Sequence, residues 1–428
     1  MKRTHTTYVS LFIAGIFLSS CEPNIEGPSF TNGNADFSKF IAIGNSFTAG
    51  YTNSELYLSG QQHSFPAILA EQMNEVDRRV FKQPYMVDEL GFGRRLKLDY
   101  VEDCREETSL SPTSYGGQPS ANNTINISSE GPFNNIGVPG MKITELTLAN
   151  YEQFNPYYAR FKSPDAATVL DHVDLIDPTF FTAWIGNNDV LLDAMNGSSA
   201  GTFVTPVGPF ESAYRAILEK LTGNGAQGII ANIPDITSIP HFNTIPYNSL
   251  TVSQSEANQL NLLYANNANI NFEPGNNPFV IQDGVTIRQM EEGELLVLTL
   301  PLDEVKCNNY GSIVPFRDEH VLTENEIVTL QATIGAYNIA ITTLTKEFNV
   351  GLFDANLFLA KVNSGITFDG VDLNTTYVSG GMFSLDGIHF TDIGNAVLAN
   401  EFIQVINKKY GANLPKVNTV GYNGVVFP

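Results

Sequence analysis

The chain alternates short apolar runs with amphipathic helical patterns, and this alternation limits its fold more than any other feature. Phe40-Ile41-Ala42-Ile43, Phe180-Phe181-Thr182-Ala183-Trp184-Ile185, Gly228-Ile229-Ile230-Ala231-Asn232-Ile233 and Val350-Gly351-Leu352-Phe353 each read as a buried strand. Helical spacing appears over 65–73, with proline near its start, and over 210–221. Thr323-Glu324-Asn325-Glu326 is a capping box opening a long helix, with Ile327, Leu330, Ile334, Ile341 and Leu344 on one stripe. Thr391-Asp392 caps a last helix carrying Val397, Leu398, Phe402, Val405 and Ile406. Strands separated by helices pair in parallel through crossovers, so a parallel sheet with helices on both faces is expected. The runs end near Gly, Asn or Asp, which places those polar residues at the carboxyl edge of the sheet, where open α/β folds bind ligands.

Two segments break the alternation. Residues 78–135 are charged, then rich in Ser, Thr, Gly and Asn, and read as an irregular insertion. Residues 240–320 form a second insertion, in which 279–284 and 294–300 look like β-strands. Residues 37–428 are expected to form one domain carrying both. The aromatic residues Tyr85, Phe92, Tyr100, Tyr115, Phe242, Tyr247 and Tyr264 would give the insertions either a sugar platform or a small satellite core.

The amino terminus reads as an address. Lys2 and Arg3 precede a short apolar run from Tyr8 to Leu18, and Leu18-Ser19-Ser20-Cys21 puts small residues before a cysteine. A run this short is a signal-peptide core over residues 1–20 and does not span a bilayer. The pattern resembles a bacterial lipobox, which implies cleavage before Cys21, its acylation, and a lipid-anchored protein of the cell envelope, outer membrane by expectation. Residues 21–36 read as the lipidated cysteine and a flexible tether. No other stretch is expected to be long and apolar enough to cross a membrane. The formal net charge is −22, and the two basic residues leave with the signal peptide. So acidic a chain is a poor partner for nucleic acid. Cys104 and Cys307 remain, and an oxidising envelope permits, without requiring, one disulfide between them. No Cys/His cluster has zinc-ligand spacing, and the chemistry below calls for no metal or cofactor.

That chemistry rests on four short motifs. Ser46 lies in Gly44-Asn45-Ser46-Phe47-Thr48-Ala49-Gly50, directly after the first strand. This is not the G-x-S-x-G elbow, because Thr48 replaces the second glycine. In Asp386-Gly387-Ile388-His389, an aspartate three residues before a histidine lets the carboxylate hold the imidazole Nδ1–H while Nε2 points away. Gly186-Asn187-Asn188-Asp189 follows the strand ending at Ile185 and offers an amide donor. Asn135-Ile136-Gly137-Val138-Pro139-Gly140 offers an unobstructed backbone N–H. Singly, each motif is an ordinary turn. Of the other histidines, His5 leaves with the signal peptide, His172 and His320 read as solvated, and His63 and His241 lie near sheet edges.

Together, in this order, the four motifs resemble those of the SGNH/GDSL hydrolase family. Ser46 matches the first-block serine, Gly140 the second-block glycine, Asn188 the asparagine of G-x-N-D, and Asp386 with His389 the closing D-x-x-H. The resemblance implies a three-layer α/β/α sandwich with a flavodoxin-like parallel sheet. It also implies a Ser46–His389–Asp386 triad and an oxyanion hole from the Ser46 and Gly140 N–H groups and the Asn188 side chain. Position 45 is Asn where the family usually has Asp, and Ser46 and Gly140 lie far apart in sequence, so the first insertion should decorate the active-site side. The implied reaction is two-step hydrolysis of an ester, on acetylated glycans or other small acyl esters, with lipid or acyl-glycerol esters second. A rival reading is a non-catalytic glycan-binding or structural lipoprotein on a hydrolase scaffold.

Overall fold

The computed structural model describes residues 29–198 and 204–428. The expected signal peptide and the anchor Cys21 lie outside the described residues. Five parallel strands make the central sheet: β1 (Phe40–Gly44), β2 (Asn135–Gly137), β3 (Phe180–Trp184), β4 (Gln227–Ala231) and β5 (Gly351–Phe353). Their spatial order is β2-β1-β3-β4-β5, so the chain reverses direction across the sheet between β1 and β3. This is the flavodoxin-like order, and such sheets bind ligands at that reversal. All residues of β1 and β3 are buried, as a sheet covered on both faces requires.

Helices α1 (Ser46–Ala49), α2 (Phe65–Asn74), α3 (Asn188–Ala194), α4 (Val207–Thr222), α5 (Glu324–Glu347) and α6 (Asp392–Tyr410) flank the sheet. Helix α6 packs on α2 and runs over β4 and β5, while α5 packs on α4 and α3. Phe65 of α2 stacks on Phe402 of α6 with ring centroids 4.8 Å apart, and Phe210 of α4 stacks on Tyr337 of α5 at 3.7 Å. Each such fully buried ring contributes about 2–3 kcal/mol. Contrary to expectation, α5 has the length and composition to cross a membrane. Its stripe of Leu330, Ile334, Tyr337, Ile341 and Leu344 is instead buried in the core.

Three local expectations are corrected. The first insertion is not irregular throughout, because 96–102 and 108–114 form an antiparallel hairpin. The strand expected over 294–300 shrinks to Leu295–Leu296, paired with Val321–Leu322. Beyond it Leu298 N–H donates to His241 O and Leu300 N–H to Val297 O, so the chain turns away. The end of the expected tether is docked rather than free: Thr31 bridges Asn413, Asn34 N–H donates to Tyr410 O, and Ala35 is buried. Cys104 and Cys307 form a disulfide across 203 residues of sequence, joining the two insertions.

Candidate active site

Strand register carries the site residues to one edge. Gly44 of β1 pairs with Gly137 of β2 and with Trp184 of β3. Ser46, Gly140 and Asn188 lie two, three and four residues beyond those paired positions. Gly44 has to be glycine, since a Cβ there would meet Thr48 Oγ1 at 2.1 Å and Trp184 O at 2.3 Å. This tight exit puts Ser46 at the first position of α1, where its N–H has no acceptor within the helix. Asn45 caps α1, its Oδ1 accepting from Phe47 N–H at 3.1 Å. The acceptor is thus in use, while the buried Asn45 Nδ2 finds no partner among the described residues.

The loop that leads into α6 brings the histidine back to this serine. His389 Nε2 lies 2.8 Å from Ser46 Oγ, and His389 Nδ1 lies 3.0 Å from Asp386 Oδ2. Asp386 Oδ1 also accepts the Ile388 and His389 N–H groups at 2.9 and 2.8 Å, and Oδ2 accepts Ser54 N–H at 2.9 Å. Burial pushes the Asp386 carboxyl up, but the charge and hydrogen bonds of His389 and the Ser54 N–H outweigh it, so the net shift is well below the usual range. Asp386 is therefore ionised and can only accept, which puts the imidazole proton on Nδ1 and leaves the Nε2 lone pair facing Ser46 Oγ–H.

The turn that carries Gly140 is fastened from below. Asn155 Nδ2 donates to Pro139 O at 2.8 Å, and Asn188 Nδ2 to Met141 O at 3.0 Å. Asp189 Oδ2 accepts Ile143 N–H at 2.9 Å, and its Oδ1 accepts Thr205 Oγ1–H at 2.6 Å. Burial raises the Asp189 carboxyl to about 6. Gly140 has φ 79°, and no atom lies within 4 Å of where a Cβ would stand, so its surroundings are open. The Asn188 amide carries two hydrogens, of which the Met141 carbonyl takes one.

The sequence gives no sign of several residues that hold this arrangement. Tyr51 lies against the His389 ring, centroids 4.7 Å apart, and its hydroxyl donates to Ser54 O. Asn53 and Ser54 adopt left-handed conformations, φ 50° and 65°. In that geometry Asn53 N–H donates to Ser384 Oγ at 3.0 Å and Asn53 Oδ1 accepts Leu385 N–H at 3.1 Å. Buried Glu55 accepts from Phe92 N–H, Arg94 N–H and the Tyr157 hydroxyl, clamping the first insertion to this segment. From the second insertion, His241 N–H donates to Gly387 O at 3.0 Å and its Nδ1 lies 3.1 Å from Asp386 O. Since a carbonyl only accepts, His241 carries its proton on Nδ1; burial lowers its pKa, and its Nε2 has no partner among the described residues.

His172 is buried against Tyr158 and Phe161 rather than solvated, and burial lowers it to about 4. His320 is half-buried rather than at the surface. His63 pairs with Asp392 at 2.8 Å, away from the serine. The insertion aromatics make no single platform: Phe242 is fully buried, Phe92 packs on Tyr157, and Tyr115 lies against the Arg95 guanidinium, which also sits over Tyr57. Among the described residues no group of three or more His, Cys, Asp or Glu is placed to hold a metal ion.

The family model described as GDSL-like Lipase/Acylhydrolase matches residues 40–402. A search of curated proteins finds no relative that matches. Among solved structures, the chain is similar to a mutant of Axe2, an acetyl-xylooligosaccharide esterase from Geobacillus stearmophilus, at 11% identity and TM-score 0.37, covering 87% of this chain and 96% of that one. It is also similar to the lipase/acylhydrolase from Enterococcus faecalis, at 10% identity and TM-score 0.35, covering 89% and 100%.

Proposed function

The chain belongs to the GDSL-like lipase/acylhydrolase family and is by that membership a carboxylic ester hydrolase, and on this premise we propose that Ser46, His389 and Asp386 are its catalytic triad. The observation that carries the proposal is the unbroken contact from Asp386 Oδ2 to His389 Nδ1 and from His389 Nε2 to Ser46 Oγ. His389 takes the Ser46 proton as Oγ attacks the ester carbonyl. The carbonyl π electrons move onto oxygen, which the Ser46 and Gly140 N–H groups and the second Asn188 amide hydrogen stabilise. Collapse expels the alcohol, protonated by His389, and leaves an acyl-Ser46 ester. Water, deprotonated by His389, then cleaves that ester and restores the enzyme.

The proposed setting is the bacterial cell envelope, with the chain anchored through acylated Cys21, a reading supported by the charged start, apolar run and small residues before that cysteine. The proposed substrates are acyl esters met there, either acetylated glycans or lipid and acyl-glycerol esters. A fluorophosphonate probe tests the triad. Wild type should be labelled and should turn over p-nitrophenyl acetate, and Ser46→Ala should do neither. A wild type that is folded, unlabelled and inactive sinks the assignment.

A further inference from the structure

The choice between those ester classes turns on a cavity of about 740 Å3 whose wall includes Asp386, Ile388 and His389. Such a volume matches sites that hold ligands far larger than an acetyl group. Most of the rest of the wall comes from both insertions, where aliphatic side chains are interspersed with serines, threonines and the charged Asp103, Asp303 and Lys306. Val101, Leu110 and Pro112 stand on the hairpin of the first, and Ile245, Leu298 and Leu302 on the second. Val101 and Leu302 leave 39% and 46% of their surface exposed, which is a standing cost for large apolar side chains unless an apolar group covers them.

The two sides of the cavity are fastened together at the hairpin tip. Cys104 and Cys307 are disulfide-bonded, Lys306 Nζ pairs with Asp103 at 2.8 Å, and an Arg105 guanidinium N–H donates to Lys306 O at 2.6 Å. The helix 302–307 thereby becomes the far abutment of an arch whose near end is the hairpin, with the catalytic histidine beneath.

Resting on the triad reading above, we propose that this arch encloses an acyl-binding site and that the substrate class is an ester of a medium or long acyl chain, of the lipid or acyl-glycerol kind, rather than an acetyl ester. The chain of the substrate lies along the aliphatic wall while its carbonyl carbon meets Ser46 Oγ. Each methylene buried there is worth roughly four-fold in transition-state binding, so an octanoyl group gains much over acetyl even if half its methylenes stay wet.

The test is a series of p-nitrophenyl esters from acetate to dodecanoate, below their micelle concentrations, with the full anchored protein or its soluble form cut after Cys21. The ratio of kcat/KM for octanoate to that for acetate should exceed ten. Leu110→Ser and Leu298→Ser, one on each insertion, should each lower that ratio at least five-fold. The double variant Cys104→Ser/Cys307→Ser should lower it too, chiefly through KM for octanoate; should it fail to fold, wild type reduced with dithiothreitol provides the same reading. Acetate preferred over octanoate, or a ratio unmoved by both leucine variants, overturns the acyl site while leaving the hydrolase reading intact. No turnover of any ester together with no fluorophosphonate labelling of Ser46 overturns the hydrolase reading and the acyl site with it.

Discussion

Replacing Asp189 with asparagine should stabilise the protein at neutral pH, although it removes a carboxylate that makes two hydrogen bonds. Asp189 is fully buried, and burial raises its pKa from 3.8 to about 6. The native state then holds this proton more tightly than the unfolded chain does. Stability therefore falls as pH rises from 3.8 through about 6, and the whole penalty is present above that. The gap is worth about 3 kcal/mol at pH 7. Asparagine has the same shape and carries no charge. Its Oδ1 can accept from Ile143 N–H, and its Nδ2 can donate to Thr205 Oγ1 once that hydroxyl turns, so both present bonds survive in kind. The expected gain for Asp189→Asn is about 3 kcal/mol at pH 7, shrinking to under about 1 kcal/mol at pH 4, where Asp189 is protonated in the native state and only partly ionised in the unfolded chain. Urea unfolding across this range, followed by the fluorescence of Trp184, measures it. Trp184 is the single tryptophan, buried and stacked on Phe47. A variant less stable than wild type at pH 7, or a difference that is the same at pH 4 and pH 7, would refute the argument and show that two full acceptors are needed at this position.

Four further outcomes are expected. Asp386→Asn should cut kcat for p-nitrophenyl acetate by roughly 10³–10⁴, because an amide facing His389 Nδ1 no longer fixes the productive tautomer; a loss under ten-fold would count against the triad. Asn188→Ala should cost about 10²-fold in kcat with little change in KM, as removal of one oxyanion donor does, and steady-state kinetics reads it directly. His241→Leu should lower kcat about ten-fold by freeing the Asp386–Gly387 backbone, and His241→Asn, which restores a donor near the Nδ1 position, should recover most of it; equal losses in both would mean that His241 does no positioning. Reducing the Cys104–Cys307 disulfide should cost about 3–5 kcal/mol in urea unfolding, as expected for a closed loop spanning 203 residues.

The fold was legible where side chains alone decide local structure. Phe40–Ile43, Phe180–Trp184 and the apolar run at 228–231 are buried on both sides, so each announces itself without reference to a partner. Strand β2 does not, since Asn135-Ile136-Gly137 has one apolar side chain and is a strand only because β1 lies beside it. The hairpin of the first insertion did leave a signal: Leu96-Lys97-Leu98-Asp99-Tyr100 alternates with period two, masked by charges on its wet face. In the site, the order of Ser46, Gly140, Asn188, Asp386 and His389 is visible because each sits in a short motif. Ser54 and Asn53 are not visible, because the groups they hold lie 331 and 332 residues away and nothing in their neighbours marks the pairing. For His241 the sequence shows only that it lies near a sheet edge; its bracing of Asp386 depends on where the second insertion folds back.

The clasp between the insertions bears on how such a chain can change over generations. The hairpin and the helix 302–307 leave the core at separate points in the sequence, yet they share one covalent bond, one ion pair and one cavity. A descendant that lost either insertion would keep an unpaired thiol and one bare aliphatic wall on the other. The two segments are therefore expected to be gained, lost and reshaped as a single heritable unit, so that selection on what enters the cavity acts on both at once while the sheet beneath stays as it is.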